Sequence, residues 1–425
     1  MTLLSWTLAI GGLIGQSSWG AESVSKRIEA RQFGSYIAGG LGLYASSGIW
    51  TSDAALAADS GIGTVRFNSD VWDLLEPSPG RFNWAPLDSA VKAARGRGLE
   101  ILFTIPISSR WNSRARAKRV HGFEVGPTHF PTEDPARLSA FCEALASRYE
   151  GRIGYYEVWN EPDFFMFWKG KPDASEYLPI LRAAHAGIKK GNPKALVLLG
   201  GLAKPEDPAW LTSLLSQDAG QLFDIMNIHV YPAFSKLDKA LSSVRGVLAR
   251  FSLSKPVWIT ETSSTGLYFE TADRDAEEQA KAAYLLKTYA VALSQADMER
   301  VFWHTLRNPG RDVGLPRDMD FGLMTSAGEP LPAHRAFARL SRALTGSLAK
   351  GKFDAGPGIE AWRFEKPGKT TLILWSRKDK SVFRVPRSYS RARRVSLYGA
   401  ASELELQGGR EIEASEEPFY LELLP

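Results

Sequence analysis

The chain has 425 residues, 44% of them hydrophobic and 23% charged, with a formal net charge of +5. That length exceeds one ordinary core, and the balanced composition excludes a disordered or fibrous chain. The single cysteine, Cys142, excludes an internal disulfide framework, and the positive charge divides between Arg110–Arg119 and Arg391–Arg394 with no nucleic-acid-binding motif, so no nucleic-acid partner is expected.

The first segment, residues 1–20, resembles a signal peptide. Leu3 to Gly15 is apolar, and Ser18 and Gly20 are small residues at the two positions a cleavage site requires. It departs from the pattern because no Lys or Arg precedes the apolar run. Export to the periplasm or medium is the expectation. No later stretch has the ~18 apolar residues that cross a bilayer, so no span is expected in the mature chain.

Strand and helix signals then alternate. Strands are expected at residues 35–43, 64–68, 99–105, 154–160, 196–200, 224–231, 256–261 and 300–304. The later ones are short apolar runs, as strands buried on both faces read. Between them, 136–149 and 174–190 carry apolar spacing near 3.6, and 276–295 opens with Asp273 and Asp275. A last helix is expected at 331–344. Eight such units predict a (β/α)8 TIM barrel over residues 30–345. The period then changes. Residues 359–365 and 370–376 alternate and are joined by Lys366-Pro367-Gly368-Lys369, a hairpin signal. A small C-terminal all-β, sandwich-like domain is expected over residues 346–425.

The strand ends carry the chemistry. The fourth runs Tyr155-Tyr156-Glu157-Val158-Trp159-Asn160-Glu161-Pro162: an apolar strand that delivers a carboxylate and is stopped by proline. The seventh, Pro256-Val257-Trp258-Ile259-Thr260-Glu261, ends the same way. In a parallel barrel both Glu side chains reach one face. Arg66 and Asn68 end the second strand, His229 and Tyr231 lie on the sixth, and Trp303 and His304 on the eighth. Glu157 is read as an interior polar group. Six histidines include no His-x-x-x-His spacing, so neither metal nor cofactor is expected.

On these residues the chain resembles clan A glycoside hydrolases over roughly residues 35–345, most of all glycoside hydrolase family 39 and its exopolysaccharide-degrading endoglycosidases. Arg66…Trp72…Glu76-Pro77…Gly80-Arg81-Phe82-Asn83-Trp84 and Phe321-Gly322-Leu323-Met324 add to the likeness. The resemblance implies a retaining O-glycosyl hydrolase acting on a polysaccharide or oligosaccharide. Glu161 would be the general acid/base and Glu261 the nucleophile, with carboxyls about 5–5.5 Å apart. Arg66 and Tyr231 would bond to Glu261, and Asn160 would meet the sugar 2-OH. His229 is read as substrate-binding or as a satisfied core histidine. Trp303 would floor the subsite, and a cis peptide is expected at Trp303–His304. Trp168, on a loop with Phe164, Phe165 and Phe167, is expected to touch sugar; a packed loop cluster is the other reading. Arg110, Arg114, Arg116, Lys118 and Arg119 would grip an acidic polymer or form a solvated loop. Long loops favour endo-action. An exo-acting, β-xylosidase-like β-glycosidase, a transglycosidase and a non-catalytic sugar-binding barrel are the alternatives.

Overall fold

A computed structural model describes residues 25–37, 49–67, 72–113, 118–120, 123–125, 130–168, 172–231, 233–264, 273–308, 320–406 and 410–425. Eight parallel strands form one sheet: β1 Phe33–Tyr36, β2 Thr64–Phe67, β3 Glu100–Ile105, β4 Tyr155–Asn160, β5 Leu196–Gly201, β6 Met226–His229, β7 Val257–Thr262 and β8 Met298–Trp303. Their order is β5-β4-β3-β2-β1-β8-β7-β6. Parallel bridges Leu198–Ile225 and Leu202–Ile228 join β5 to β6 and close the ring. A helix follows each strand: α1 Ile49–Asp59, α2 Ala85–Gly96, α3 Pro135–Arg148, α4 Ala174–Gly191, α5 Pro208–Leu215, α6 Ala233–Arg250, α7 Arg274–Leu293 and α8 Pro332–Leu344. The expected TIM barrel is therefore present.

Local sequence explains where the helices start. Asp134, Asp173, Asp207 and Asp273 precede α3, α4, α5 and α7, and each carboxylate accepts a backbone N–H of the first turn. Each such cap is worth about 1 kcal/mol. Pro135 and Pro208 stand where the missing N–H costs nothing. Cys142 is buried on α3. Toward the N-terminal end of the strands, Arg300 lies between the rings of Tyr155 and Trp258, 4.3 Å from each centroid. It donates to Thr64 Oγ1, Glu100 and Tyr155 Oη, so the buried cation that fills this end is both paired and hydrogen-bonded.

Strand boundaries depart from the expected ones most in β1 and β6, and elsewhere by one or two residues. β1 begins at Phe33, because Val301 and Gly34–Thr64 pairing sets its register, and residues 38–48 lie outside the described set. β6 is limited to 226–229 by its pairing with β7.

After α8, Gly346 takes a left-handed φ of 84° and the chain enters β9 Leu348–Lys352. There follow β10 Ile359–Lys366, β11 Lys369–Ser376, β12 Lys380–Arg384, β13 Arg391–Val395, β14 Ala401–Leu404, β15 Glu411–Ser415 and β16 Phe419–Leu424. β9 to β11, β16, β13 and β14 form an antiparallel sheet, and β12 pairs with β15. The sheet also takes in Lys26–Arg27, which pair with Ala349 and Leu348. The expected C-terminal unit therefore borrows an edge from the other end of the chain. Trp362, Trp375 and Tyr420 join the core shared with the barrel, whereas Leu372, Leu374, Phe383, Ile412 and Leu421 form a second core. Among the described residues, no helix is long and apolar enough to cross a membrane.

Candidate active site

The strand ends bring Arg66, Glu157, Asn160, Glu161, His229, Tyr231 and Glu261 into one hydrogen-bonded group, joined in part through Thr260, with His304 beside it 3.8 Å from Glu261. Glu161 comes off β4 through two left-handed residues, Trp159 (φ 72°) and Glu161 itself (φ 48°). Such backbone costs about 1–3 kcal/mol per residue and persists where the surroundings over-determine it. Here the surroundings are specific: Glu161 N–H donates to Gly201 O at 3.1 Å, and Trp159 Nε1 donates to Phe167 O at 2.9 Å. Gly201 is a glycine because of close approach. A Cβ there would meet His229 Nε2 at 2.1 Å, so only Gly lets the imidazole lie against β5.

Arg66 is the centre of charge. Nε donates to Glu157 at 2.6 Å, Nη1 to Glu261 Oε1 at 2.5 Å and Nη2 to Asn160 Oδ1 at 2.8 Å. With Oδ1 taken, Asn160 has its amide N–H groups left for a ligand. Tyr231 Oη donates to the other oxygen of Glu261 at 2.9 Å. Burial alone would push the Glu261 carboxyl up. The positive charges of His229, His304 and Arg66 and the Tyr231 bond outweigh it and hold the carboxyl well below its ordinary range. His304 acts only while protonated, and burial pushes it down to about 4, so at neutral pH Arg66, Tyr231 and the proton that His229 shares with Glu161 remain. Burial also pushes Tyr231 well above its ordinary value, so it stays a donor.

Glu161 is held the other way. Burial pushes its carboxyl up; the His229 bond and charge oppose this, and the charges of Glu261 and Asp163 reinforce it. The hydrogen-bond network assigns the proton. Thr260 Oγ1 lies 2.9 Å from Asn227 Oδ1 and 3.2 Å from Glu157 Oε1, both acceptors, since Asn227 Nδ2 donates to Glu157 at 2.6 Å. The one hydroxyl proton goes to an acceptor, so toward His229 Nε2, 3.0 Å away, Thr260 accepts. Nε2 is then the protonated nitrogen. Nδ1 faces Glu161 Oε1 at 2.8 Å, and that line holds one more proton, on the carboxyl or on the ring. Burial lowers His229, but the charges of Glu261 and Glu161 raise it on balance, which keeps the proton in the pair.

Glu161, His229 and Glu261 each bring a ligand atom within 4.8 Å of the others. They could hold a cation only in front of the Arg66 guanidinium, with Nδ1 already taken by Glu161. The set suits a shared proton better than a metal ion.

Two expected sugar contacts are corrected by burial. Trp303 is fully buried in the barrel core, where Nε1 donates to Phe321 O at 2.9 Å. Trp168 is also fully buried and packs edge-on against Tyr177. A ring with no exposed face has nothing to stack on a sugar. Phe164 packs on Phe165 and Phe167, which favours the packed-cluster reading of that loop. The cis peptide is one residue later than expected, at His304–Thr305. His229 touches Glu161 and Thr260 from a fully buried position, as the satisfied-core reading requires. Sequence reasoning missed Tyr36, Asn227, Thr260 and Phe321. Only the position of Thr260, next to Glu261, hinted at a role. Asn68, Arg114 and Arg116 lie outside the described residues, and of Lys118 and Arg119 only the hairpin backbone, 118–120 with 123–125, is described.

The chain is similar to known proteins. A family model described as glycosyl hydrolase catalytic core matches residues 136–330, the stretch that holds both Glu161 and Glu261. A β-galactosidase family model matches residues 45–115 of the same barrel. A β-xylosidase of Caldicellulosiruptor saccharolyticus is 29% identical to this chain over 263 residues, 56% of this chain and 51% of the relative. The match thus spans about half the length of that relative. In structure, a family 39 glycoside hydrolase from the gut symbiont Bacteroides cellulosilyticus WH2 gives a TM-score of 0.72 at 20% identity, covering 94% of this chain and 82% of that one. A monomeric β-xylosidase from Caulobacter crescentus CB15 gives 0.68 at 16% identity, covering 95% and 98%. At these identities the structural likeness is one of fold.

Proposed function

We propose that this chain is a retaining glycoside hydrolase that cleaves a polysaccharide by double displacement. The observation that carries the reading is the pair of carboxyls. They present oxygens within 4.8 Å of each other, one sharing a proton with His229 and the other held ionised by Arg66. In the first step an oxygen of Glu261 attacks the anomeric carbon, the bond to the leaving oxygen breaks, and Glu161 gives that oxygen its proton. In the second, Glu161 takes a proton from water, the water oxygen attacks the same carbon, and the ester to Glu261 breaks. Asn160, turned by Arg66 so that its N–H groups are free, would donate to the sugar 2-OH.

A bell-shaped pH dependence is expected. The acid limb is set by Glu261, which stays ionised to low pH. The basic limb is set by the Glu161–His229 pair, which loses its proton only above the ordinary carboxyl range. In Glu161→Gln, assayed on a 2,4-dinitrophenyl glycoside whose leaving group needs no proton, the basic limb should vanish. An unaltered basic limb would remove Glu161 from the acid role.

The finer reading is endo-action on an exported, acidic exopolysaccharide. It is supported by the long loops after β3, β4 and β8, by the leader-like residues 1–20, and by the five basic residues between Arg110 and Arg119. The β-xylosidase relatives support exo-action instead, and product length separates the two. The test is release of reducing ends from a panel of acidic and neutral polysaccharides. Replacing Arg114, Arg116 and Arg119 with Gln should raise KM for the acidic polymer by about 10-fold or more and leave the neutral one unchanged. Equal effects on both polymers would reject the acidic specificity.

A further inference from the structure

The reaction leaves one side chain beside Glu261 without a task. His304 follows β8 directly. Its ring stacks on Tyr36 with centroids 4.9 Å apart and planes 17° apart, and Phe321 meets it edge-on at 5.5 Å. The two rings fix the imidazole plane. Nδ1 is buried and lies 3.8 Å from Glu261 Oε2, beyond hydrogen-bond reach, and it has no hydrogen-bond partner among the described residues. Yet 19% of the side chain is exposed. Because Nδ1 is covered, the open part is the rest of the ring.

The location of the ring's one proton follows from its neighbour. Burial, reinforced by the charges of Arg66 and His229 and opposed by Glu261, pushes His304 down to about 4, so the imidazole is neutral in the working range. A lone pair on Nδ1 would face a carboxylate oxygen; a proton there faces it favourably. The proton therefore sits on Nδ1, and Nε2 keeps its lone pair. The strand-end ring bordering the nucleophile is thus an acceptor, while the neighbouring indole, Trp303, is sealed in the core.

We propose that His304 reads a hydroxyl of the sugar seated against Glu261, with Nε2 accepting the hydroxyl proton, so that the enzyme selects substrates carrying a hydroxyl at that position. This inference rests on the glycosidase reading above. It differs from a stacking platform, which would accept a sugar whatever the hydroxyl on that edge. A site built around one polar contact discriminates strongly against the analogue that lacks it.

The experiment compares wild type, His304→Phe and His304→Gln on whichever of the 4-nitrophenyl β-xyloside, β-galactoside and β-glucoside is hydrolysed fastest, together with its monodeoxy analogues. Thermal melts check that each variant folds. In wild type, one deoxy analogue should lose about 10- to 100-fold in kcat/KM through this contact. In His304→Phe, which keeps the ring stacked on Tyr36, the parent should fall by a similar factor and the penalty for that one analogue should shrink to within about 2-fold. His304→Gln, whose amide oxygen can accept, should restore part of the discrimination. Deoxy penalties that are the same in wild type and both folded variants would overturn the role of His304 and leave the glycosidase reading standing. A folded wild-type protein that hydrolyses none of the three glycosides and releases no reducing ends from the polysaccharide panel would overturn both.

Discussion

Replacing Glu261 with glycine is expected to abolish turnover of natural substrate, with kcat falling by about four orders of magnitude or more. The protein should remain folded, because Arg66 keeps its second carboxylate, Glu157, at 2.6 Å. The deletion leaves a space on the face from which the nucleophile attacks. Added azide should enter it and restore release of 2,4-dinitrophenolate from an activated β-glycoside. A single displacement then occurs where two did before, so the glycosyl azide should have the inverted anomeric configuration. Retained configuration, or activity within about 10-fold of wild type, would mean that another group is the nucleophile. Proton NMR of the product decides.

The second large effect is expected at Arg66. Its side chain is 3% exposed and holds two carboxylates, those of Glu157 and Glu261, at 0% and 12% exposure. Arg66→Met strands both. Breaking a buried ion pair by removing one partner costs about 3–5 kcal/mol, a melting-point fall of roughly 3–6 °C in a chain of this size. The sign with pH follows from Glu261. Its folded-state carboxyl is depressed, so its stabilising contribution is fully present above the ordinary carboxyl value and is lost as pH falls through the depressed one. The gap between wild type and Arg66→Met should therefore be widest near neutrality and close in acid. The acid limb of kcat/KM should move to higher pH in the same variant, because Glu261 has lost its cation. Arg66→Lys, with charge but no fork, should recover part of the melting temperature and less of the activity. A melting temperature and acid limb both unchanged in Arg66→Met would show that the guanidinium is not the group holding Glu261 ionised.

The sequence by itself determined which residues end strands, and much follows from that. An apolar run broken by Asn160-Glu161-Pro162, and another ending at Glu261, place two carboxylates on one face of any parallel barrel, since all strand C-termini point the same way. The change from 3.6-residue to two-residue periodicity marked the passage from barrel to sheet. What lies across the barrel was not legible. The bonds that place a proton on His229 Nε2 and so turn Nδ1 to Glu161 join Asn227 to Glu157 and Thr260 to Glu157, pairs 70 and 103 residues apart. Periodicity tells which side chain points inward, but not which distant group it meets there. The same limit explains Trp168 and Trp303. An aromatic residue beside an active strand reads as a sugar platform, but whether its face is open depends on what packs against it, and Tyr177 and the return of the chain at Phe321 cover these two. His304 escapes because Tyr36 and Phe321 hold its ring without sealing it. The Lys26–Arg27 edge strand was hidden for a similar reason: two residues carry no period, and only the register with Leu348 and Ala349 makes them a strand. Chain direction and spacing are local and can be read along the chain; proton placement and ring exposure belong to the three-dimensional packing alone.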